Sequence, residues 1–303
     1  MGTDEDGREG VKAGCGRHLV IFGAGYVGGE VARQAAARGL RVTALTRNAV
    51  KARALTEAGV SMIVDDLAAD TWHARLPDGA DFVLNCVSSG GGGPAGYRHS
   101  YVEGMQSVLA WAGQVPVGTI LYTGSTSVYP QDGGVRVDET ASIEETRAAG
   151  SPLVEAEDLL LAWKGGRPFV LRLAGIYGPG RHYLVDQLRD GSGEVAGRGD
   201  HRLNLIHRDD IAAAVWSAFE APAEVTGGVF NVADDGAAPK AEIAEFLAAK
   251  LGVAVPRFTG EPASGRRRVT PDRVISNEKI KRVLGWHPLY PTYREGYAAI
   301  LKD

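Results

Sequence analysis

The sequence predicts an α/β chain built on a doubly wound parallel sheet, with a smaller region towards its carboxyl end. Three observations carry that prediction. Short apolar runs alternate with helical spacings from His18 onwards, as in a parallel sheet with crossover helices. The first run, His18–Phe22, leads into Gly23-x-Gly25-x-x-Gly28 and then into Val27, Val31 and Ala35 at helical spacing. Beyond Leu173 the alternation becomes less regular.

The elements follow in order. Gly39 suits the end of the first helix, and Arg41 to Thr46 form a second strand. A helix from about Ala49 to Ala58 stops at Gly59, and Val60 to Val64 form a third strand closed by Asp65-Asp66. Asp81 to Val87 and Val117 to Thr123 are strands four and five, with a helix over roughly 95–112 between them. One helix is expected from about Ser142 to Trp163, before a sixth strand over Phe169–Leu173. Ile176 to Arg181 is a loop and Leu203 to His207 a short strand. Asp209 is the expected N-cap of a helix ending near Glu220. Val229 to Val232 returns to the sheet, and Pro239 sits near the first turn of a helix running to Leu251. These assignments predict a sheet domain over 17–173 plus about 207–232, and a smaller domain over about 174–206 plus 233–303.

Composition narrows the partners. A chain of 303 residues has ample length for a core in one large or two modest domains. A net charge of −4 argues against a nucleic-acid partner and gives no basic face for a membrane. Cys15 and Cys86 form neither a disulfide framework nor a zinc spacing, and no metal is expected. The longest apolar runs, such as Phe169–Leu173, are far too short to span a bilayer. Residues 1–16 are glycine-rich and charged without an apolar signal stretch, so a disordered leader on a soluble, cytoplasmic protein is expected.

The glycine loop carries the chemistry. Gly23 permits the tight turn, Gly25 lets backbone approach a pyrophosphate, and Gly28 lets helix pack on strand. The helix that follows offers free N–H groups and a partial positive charge to a phosphate. With strand before and helix after, this loop predicts a bound dinucleotide. The sequence favours NADP over NAD. An NAD site places an acid about 20 residues beyond the glycines, and none stands between Leu40 and Lys51. Arg47, or less well Arg53, could pair with a 2′-phosphate, and Thr46 could add a hydroxyl donor. Asp66, with Leu67, is placed to receive the adenine amino group, or to cap the segment from Ala68.

Later segments fall into a familiar order: Tyr122-Thr123-Gly124-Ser125-Thr126-Ser127-Val128-Tyr129, then Leu171 to Arg181, His207-Arg208-Asp209-Asp210-Ile211 and Phe230 to Asp234. In this the chain resembles the extended short-chain dehydrogenase/reductases, the NAD-dependent epimerase/dehydratase family. The Gly-x-Gly-Tyr-x-Gly loop and the segment Ile275 to Ile280 look most like its atypical members. The resemblance implies an N-terminal Rossmann domain and a smaller substrate domain. It implies cofactor contacts at Gly23, Gly25, Tyr26, Val27, Gly28, Arg47, Asp66, Leu67, Cys86, Val87, Thr123 and Ile176. Cys86 becomes a small wall residue rather than a nucleophile. The implied partner is a polar small-molecule substrate, with nucleotide-linked sugars as one class. Assembly is left open, a homodimer included.

The resemblance breaks at the catalytic positions. The family uses Ser or Thr, a Tyr-x-x-x-Lys pair and an assisting Asn; the Lys lowers the pKa of the Tyr that moves the proton. Ser125 matches the Ser, but alignment through Ala156-Glu157-Asp158 places Ala149 and Leu153 at the Tyr and Lys, and the Asn position, three residues before Gly104, holds Tyr101. Lys164 falls too far along to serve. Tyr101 is therefore the candidate proton donor, with Ser125 as hydrogen-bond donor to substrate; without a lysine, Tyr101 is expected to keep a pKa of about 10. Tyr129, Tyr177, His182 and Tyr183 are further candidates on loops facing the cleft, and Arg266-Arg267-Arg268 could hold an anion. Two readings stand: an NADP-dependent oxidoreductase or epimerase, and a cofactor-binding regulator without turnover, similar to NmrA-like proteins.

Overall fold

The computed structural model describes residues 16–89, 91–261 and 271–302. The leader apart from Gly16, Gly90, and the Arg266–Arg268 run lie outside the described residues. Seven strands form one sheet: β1 (His18–Phe22), β2 (Arg41–Thr46), β3 (Ser61–Val64), β4 (Ala80–Asn85), β5 (Val117–Ser125), β6 (Arg167–Leu173) and β7 (Gly228–Val232). Their order is β7-β6-β5-β4-β1-β2-β3, and every pairing is parallel. The winding reverses between β1 and β4, the place where such sheets bind ligands.

β1 shows why its sequence is apolar throughout. Successive side chains of a strand point to opposite faces. Leu19 and Ile21 enter one core with Val31 and Ala35 of α1 (Tyr26–Ala37) and with Ile211 and Val215 of the Arg208–Phe219 helix. Val20 and Phe22 enter a second core with Trp72, Met105, Val108 and Trp111. Both faces are covered, so neither admits a polar alternation. A third apolar cluster, which includes Tyr177, Val185, Ile243, Leu247 and Tyr297, unites the carboxyl-terminal helices.

α2 (Ala49–Thr56) follows β2. The helix expected over 95–112 has three parts: α3 (Gly93–Arg98), a π-helical turn (His99–Glu103) and α4 (Gly104–Ala112). The helix expected from Ser142 to Trp163 is two helices, α5 (Glu144–Ala148) and α6 (Pro152–Ala162). The break has a local cause. Gly150 takes φ +69°, Pro152 has no N–H to donate, and Ser151 before it is extended, as a residue preceding proline prefers.

Smaller corrections have similar origins. His207, not Asp209, caps its helix: the ring Nδ1 accepts from the Asp209 N–H at 3.2 Å. Asp209 and Asp210 then lie in the first turn, favourable against the helix dipole. Pro239 is the N-cap of the Lys240–Leu251 helix rather than part of its first turn. No helix among the described residues is long and apolar enough to cross a membrane.

Candidate dinucleotide site

A cavity of about 420 Å³ opens where the chain leaves β1, β2, β3 and β4, at the reversal point of the sheet. A wider recess of about 610 Å³ lies at the opposite, amino-terminal ends of the strands, lined by Arg17, Arg41 and Arg167 among others. Ligands of doubly wound sheets bind at the carboxyl ends, so the smaller cavity is the candidate.

Its floor is the glycine loop. Gly23 has φ +92°, and a Cβ there would lie 2.7 Å from the Val87 nitrogen. Gly28 is closed in the same way, since a Cβ would meet Cys86 Sγ at 2.6 Å and Ile21 Cγ2 at 3.1 Å. Gly25 differs: its nearest neighbour would be Gly23 O at 3.9 Å, so the space above it is open. Gly25 caps α1, whose first turn carries no acidic side chain. The positive helix end therefore faces the cavity uncompensated, which suits a pyrophosphate.

The wall from β2 is cationic. Thr46, Arg47, Asn48 and Lys51 line it. Asn48 caps α2 by accepting from the Lys51 N–H at 3.0 Å, which puts Lys51 in the first turn beside Arg47. Thr46 Oγ1 accepts from the Asn48 N–H at 3.2 Å and keeps its own hydroxyl proton for another acceptor. Arg47 is the cation expected to pair with a 2′-phosphate. It lies 3.6 Å from the Asp66 carboxylate and is half exposed. Arg53 does not line the cavity.

Asp66 and Leu67 close the side beyond β3. Asp66 Oδ1 accepts from the Ala68 N–H, so the capping role is real. Hydrogen bonds from Ala68 and His99 and the Arg47 charge overcome its partial burial and hold its pKa below the usual carboxylate range. Cys86 and Val87 form the wall after β4. Burial pushes the Cys86 thiol up to about 12, and its Sγ donates to Gly23 O at 3.1 Å, which fits a wall residue. Ser88 and Ser100 also line the cavity and were not foreseen.

The other expected contacts are not part of this cavity's lining. Tyr26 donates to Pro179 O at 2.9 Å, Val27 is buried in α1, and Thr123 sits within β5. Ile176 pairs in register with Ile206.

The catalytic candidates are less united. Ser125 ends β5 and accepts from the Ser127 N–H at 3.2 Å. Tyr101, in the π turn, packs against the second core with its ring 5.3 Å from that of Tyr97. No hydrogen bond joins Tyr101 to Ser125 among the described residues. Burial raises the Tyr101 pKa above its ordinary value, partly offset by hydrogen bonding to Ser89; the expected value near 10 is thereby corrected upwards. Tyr129 is buried, not on a cleft-facing loop: it donates to Asn231 Oδ1 at 2.8 Å and accepts from Arg172 at 2.9 Å. Arg172 in turn forks onto the buried Glu157 at 2.7 and 3.2 Å. Tyr177 is likewise buried, its ring 4.8 Å from that of Tyr297. His182 lies 2.8 Å from Asp186, and Tyr183 opens the helix Tyr183–Arg189.

A parallel sheet in this order, with a glycine loop at its reversal point, defines a Rossmann-type α/β protein. The chain belongs to the NAD dependent epimerase/dehydratase family, which its residues 19–233 match. It is 28% identical to Protein YeeZ of Escherichia coli (strain K12), over 91% of this chain and 97% of that one. Among solved structures it resembles a functionally unknown conserved protein from Silicibacter pomeroyi DSS, with TM-score 0.76 and 27% identity over 95% of this chain and 99% of that chain. It shares its fold with UDP-glucuronic acid 4-epimerase from Bacillus cereus, solved with UDP-glucuronic acid and NAD. There the TM-score is 0.77 at 18% identity, covering 94% of this chain and 98% of the other.

Proposed function

We propose that this protein binds NADP(H) in preference to NAD(H) and uses it in a reduction or epimerisation of a polar small molecule. The observation that carries the reading is the set Thr46, Arg47 and Lys51 on one cavity wall. A 2′-phosphate there meets two cations and a hydroxyl donor. The Arg47–Asp66 pair does not oppose this. Exposed pairs contribute about 0–1 kcal/mol, so the guanidinium is readily turned to a phosphate.

A bound dinucleotide supplies a hydride donor or acceptor. The chain's own residues do the rest. Gly25 and the start of α1 hold the pyrophosphate, and Asp66 accepts from the adenine amino group. Ser125 donates to a substrate oxygen. Tyr101, kept protonated by burial, donates the proton that accompanies hydride addition. A tyrosine so held is a poor base at neutral pH, so reduction is favoured over oxidation. Residues 174–206 and 233–303 form the substrate domain in this reading.

The bound UDP-glucuronic acid of the Bacillus cereus fold relative makes nucleotide-linked sugars the first panel to try, with simple carbonyl compounds beside them. The assay is NADPH oxidation by wild type and by Tyr101→Phe. The expected result is turnover reduced about 10²–10⁴-fold in the variant, with NADPH binding retained. Unchanged turnover returns Tyr101 to packing. One observation favours a second reading, a cofactor sensor without turnover: the segment that carries the family's Tyr and Lys is broken at Gly150. NADPH binding with neither NADPH oxidation nor epimerised product across the panel supports that reading.

A further inference from the structure

His99 stands between two carboxylates. Its Nε2 lies 3.0 Å from Asp66 Oδ1 and its Nδ1 2.7 Å from Glu103 Oε2. Ionised carboxylates only accept hydrogen bonds, and a neutral imidazole carries a single N–H. Both contacts are made together only by the imidazolium. The neutral ring must give one up.

The backbone is shaped for this arrangement. His99 and Glu103 are the first and last residues of the π-helical turn between α3 and α4. Such insertions occur often at functional sites. The same turn supplies Ser100 to the cavity lining. Asp66 comes from the loop after β3, 33 residues away in sequence. Its Oδ1 is taken up by Ala68 N–H and His99, while Oδ2 is the oxygen turned to Arg47. His99 thus joins the Ala68 N–H in holding Oδ1 and leaves Oδ2 on the side of the cavity cations.

The surrounding charges come from several elements. Asp66 and Glu103 touch the ring. Arg47, after β2, lies against Asp66, and Lys51 of α2 lines the same cavity. Arg98 of α3 is close enough to feel Glu103 but forks onto Glu155 of α6 at 2.7 and 2.9 Å. The two carboxylate bonds raise the His99 pKa above its ordinary value.

We propose that His99 is a positioning residue of the dinucleotide site: as imidazolium it locks Asp66 for the adenine end, and loss of its proton weakens cofactor binding. This rests on the reading that the cavity takes a dinucleotide.

The test is calorimetric titration of NADPH into wild type, His99→Gln and His99→Ala from about pH 6 to about pH 9, with the His99 ring followed by NMR. His99 is partly exposed, so both variants are expected to fold. Wild-type affinity should fall about three- to tenfold as the His99 ring loses its proton. His99→Gln keeps one amide donor and should bind with intermediate affinity and without that pH step. His99→Ala should bind most weakly, also without the step. A wild-type profile lacking the step, or a step that survives in His99→Gln, overturns the positioning role while NADPH binding stands. Absence of NADPH and NADH binding to wild type at every pH overturns the cofactor reading itself, and the positioning role with it.

Discussion

Ala149 and Leu153 are four residues apart and belong to different helices. Ala149 caps the end of α5, Leu153 lies in the first turn of α6, and Gly150 between them is left-handed. On one unbroken helix, positions four apart share a face. Here the break at Gly150 sets Ala149 and Leu153 on separate helices, so they share no such face.

The glycine loop separates a binding role from a folding role. Gly25→Val places its side chain in open space, where the pyrophosphate would lie. It should abolish dinucleotide binding and leave circular dichroism unchanged. Gly28→Val drives its side chain against the Gly23 carbonyl, Cys86 and Ile21 and should cost about 1–3 kcal/mol of stability by overpacking. Urea denaturation of both variants with NADPH titration checks this; equal stability losses would place both glycines in folding alone.

The Glu157–Arg172 pair is a fold element. Both side chains are nearly fully buried, and the Arg172 fork also holds Tyr129. Glu157→Ala leaves a buried guanidinium without its counter-charge and should destabilise by about 3–5 kcal/mol. Denaturant melts measure it, and a loss below about 1 kcal/mol would mean water compensates the charge.

Asp234 sets a pH dependence. Burial pushes its carboxyl up to about 8, although the Gly236 N–H pulls the other way, and Oδ2 has no partner among the described residues. The unfolded chain releases this proton near about 3.9, whereas the folded chain holds it to about 8. The folded state thus binds more protons across that window, so this group's stabilisation is full at low pH and lost as pH rises through it. Asp234→Asn should remove that slope and melt higher than wild type near pH 8. Thermal melts at several pH values decide it; parallel curves for the two proteins would contradict it.

Much of this was legible in the sequence, for stated reasons. β1 and the glycine loop were readable because a strand buried on both faces must be apolar and a backbone at φ +92° calls for glycine. Arg47 was readable as a cation where an acid is usual. Its pairing with Asp66 was not, because that contact joins the ends of β2 and β3, which become neighbours only once the sheet has formed. The π turn escaped because one extra residue barely alters helical periodicity, and with it went His99. Gly150-Ser151-Pro152 did announce a stop and restart, but the apolar spacing on either side ran straight across it. Tyr129 looked like a loop residue because its partners, Arg172 and Asn231, lie 43 and 102 residues further on.

The preference for NADP through Arg47 is tested most directly by calorimetric titration of NADPH and NADH into wild type and Arg47→Ala. The account predicts that wild type binds NADPH more tightly. Arg47→Ala should lose roughly 1.5–3 kcal/mol for NADPH and bind NADH nearly as before. Equal wild-type affinities for the two cofactors, or an equal loss for both in Arg47→Ala, would contradict it.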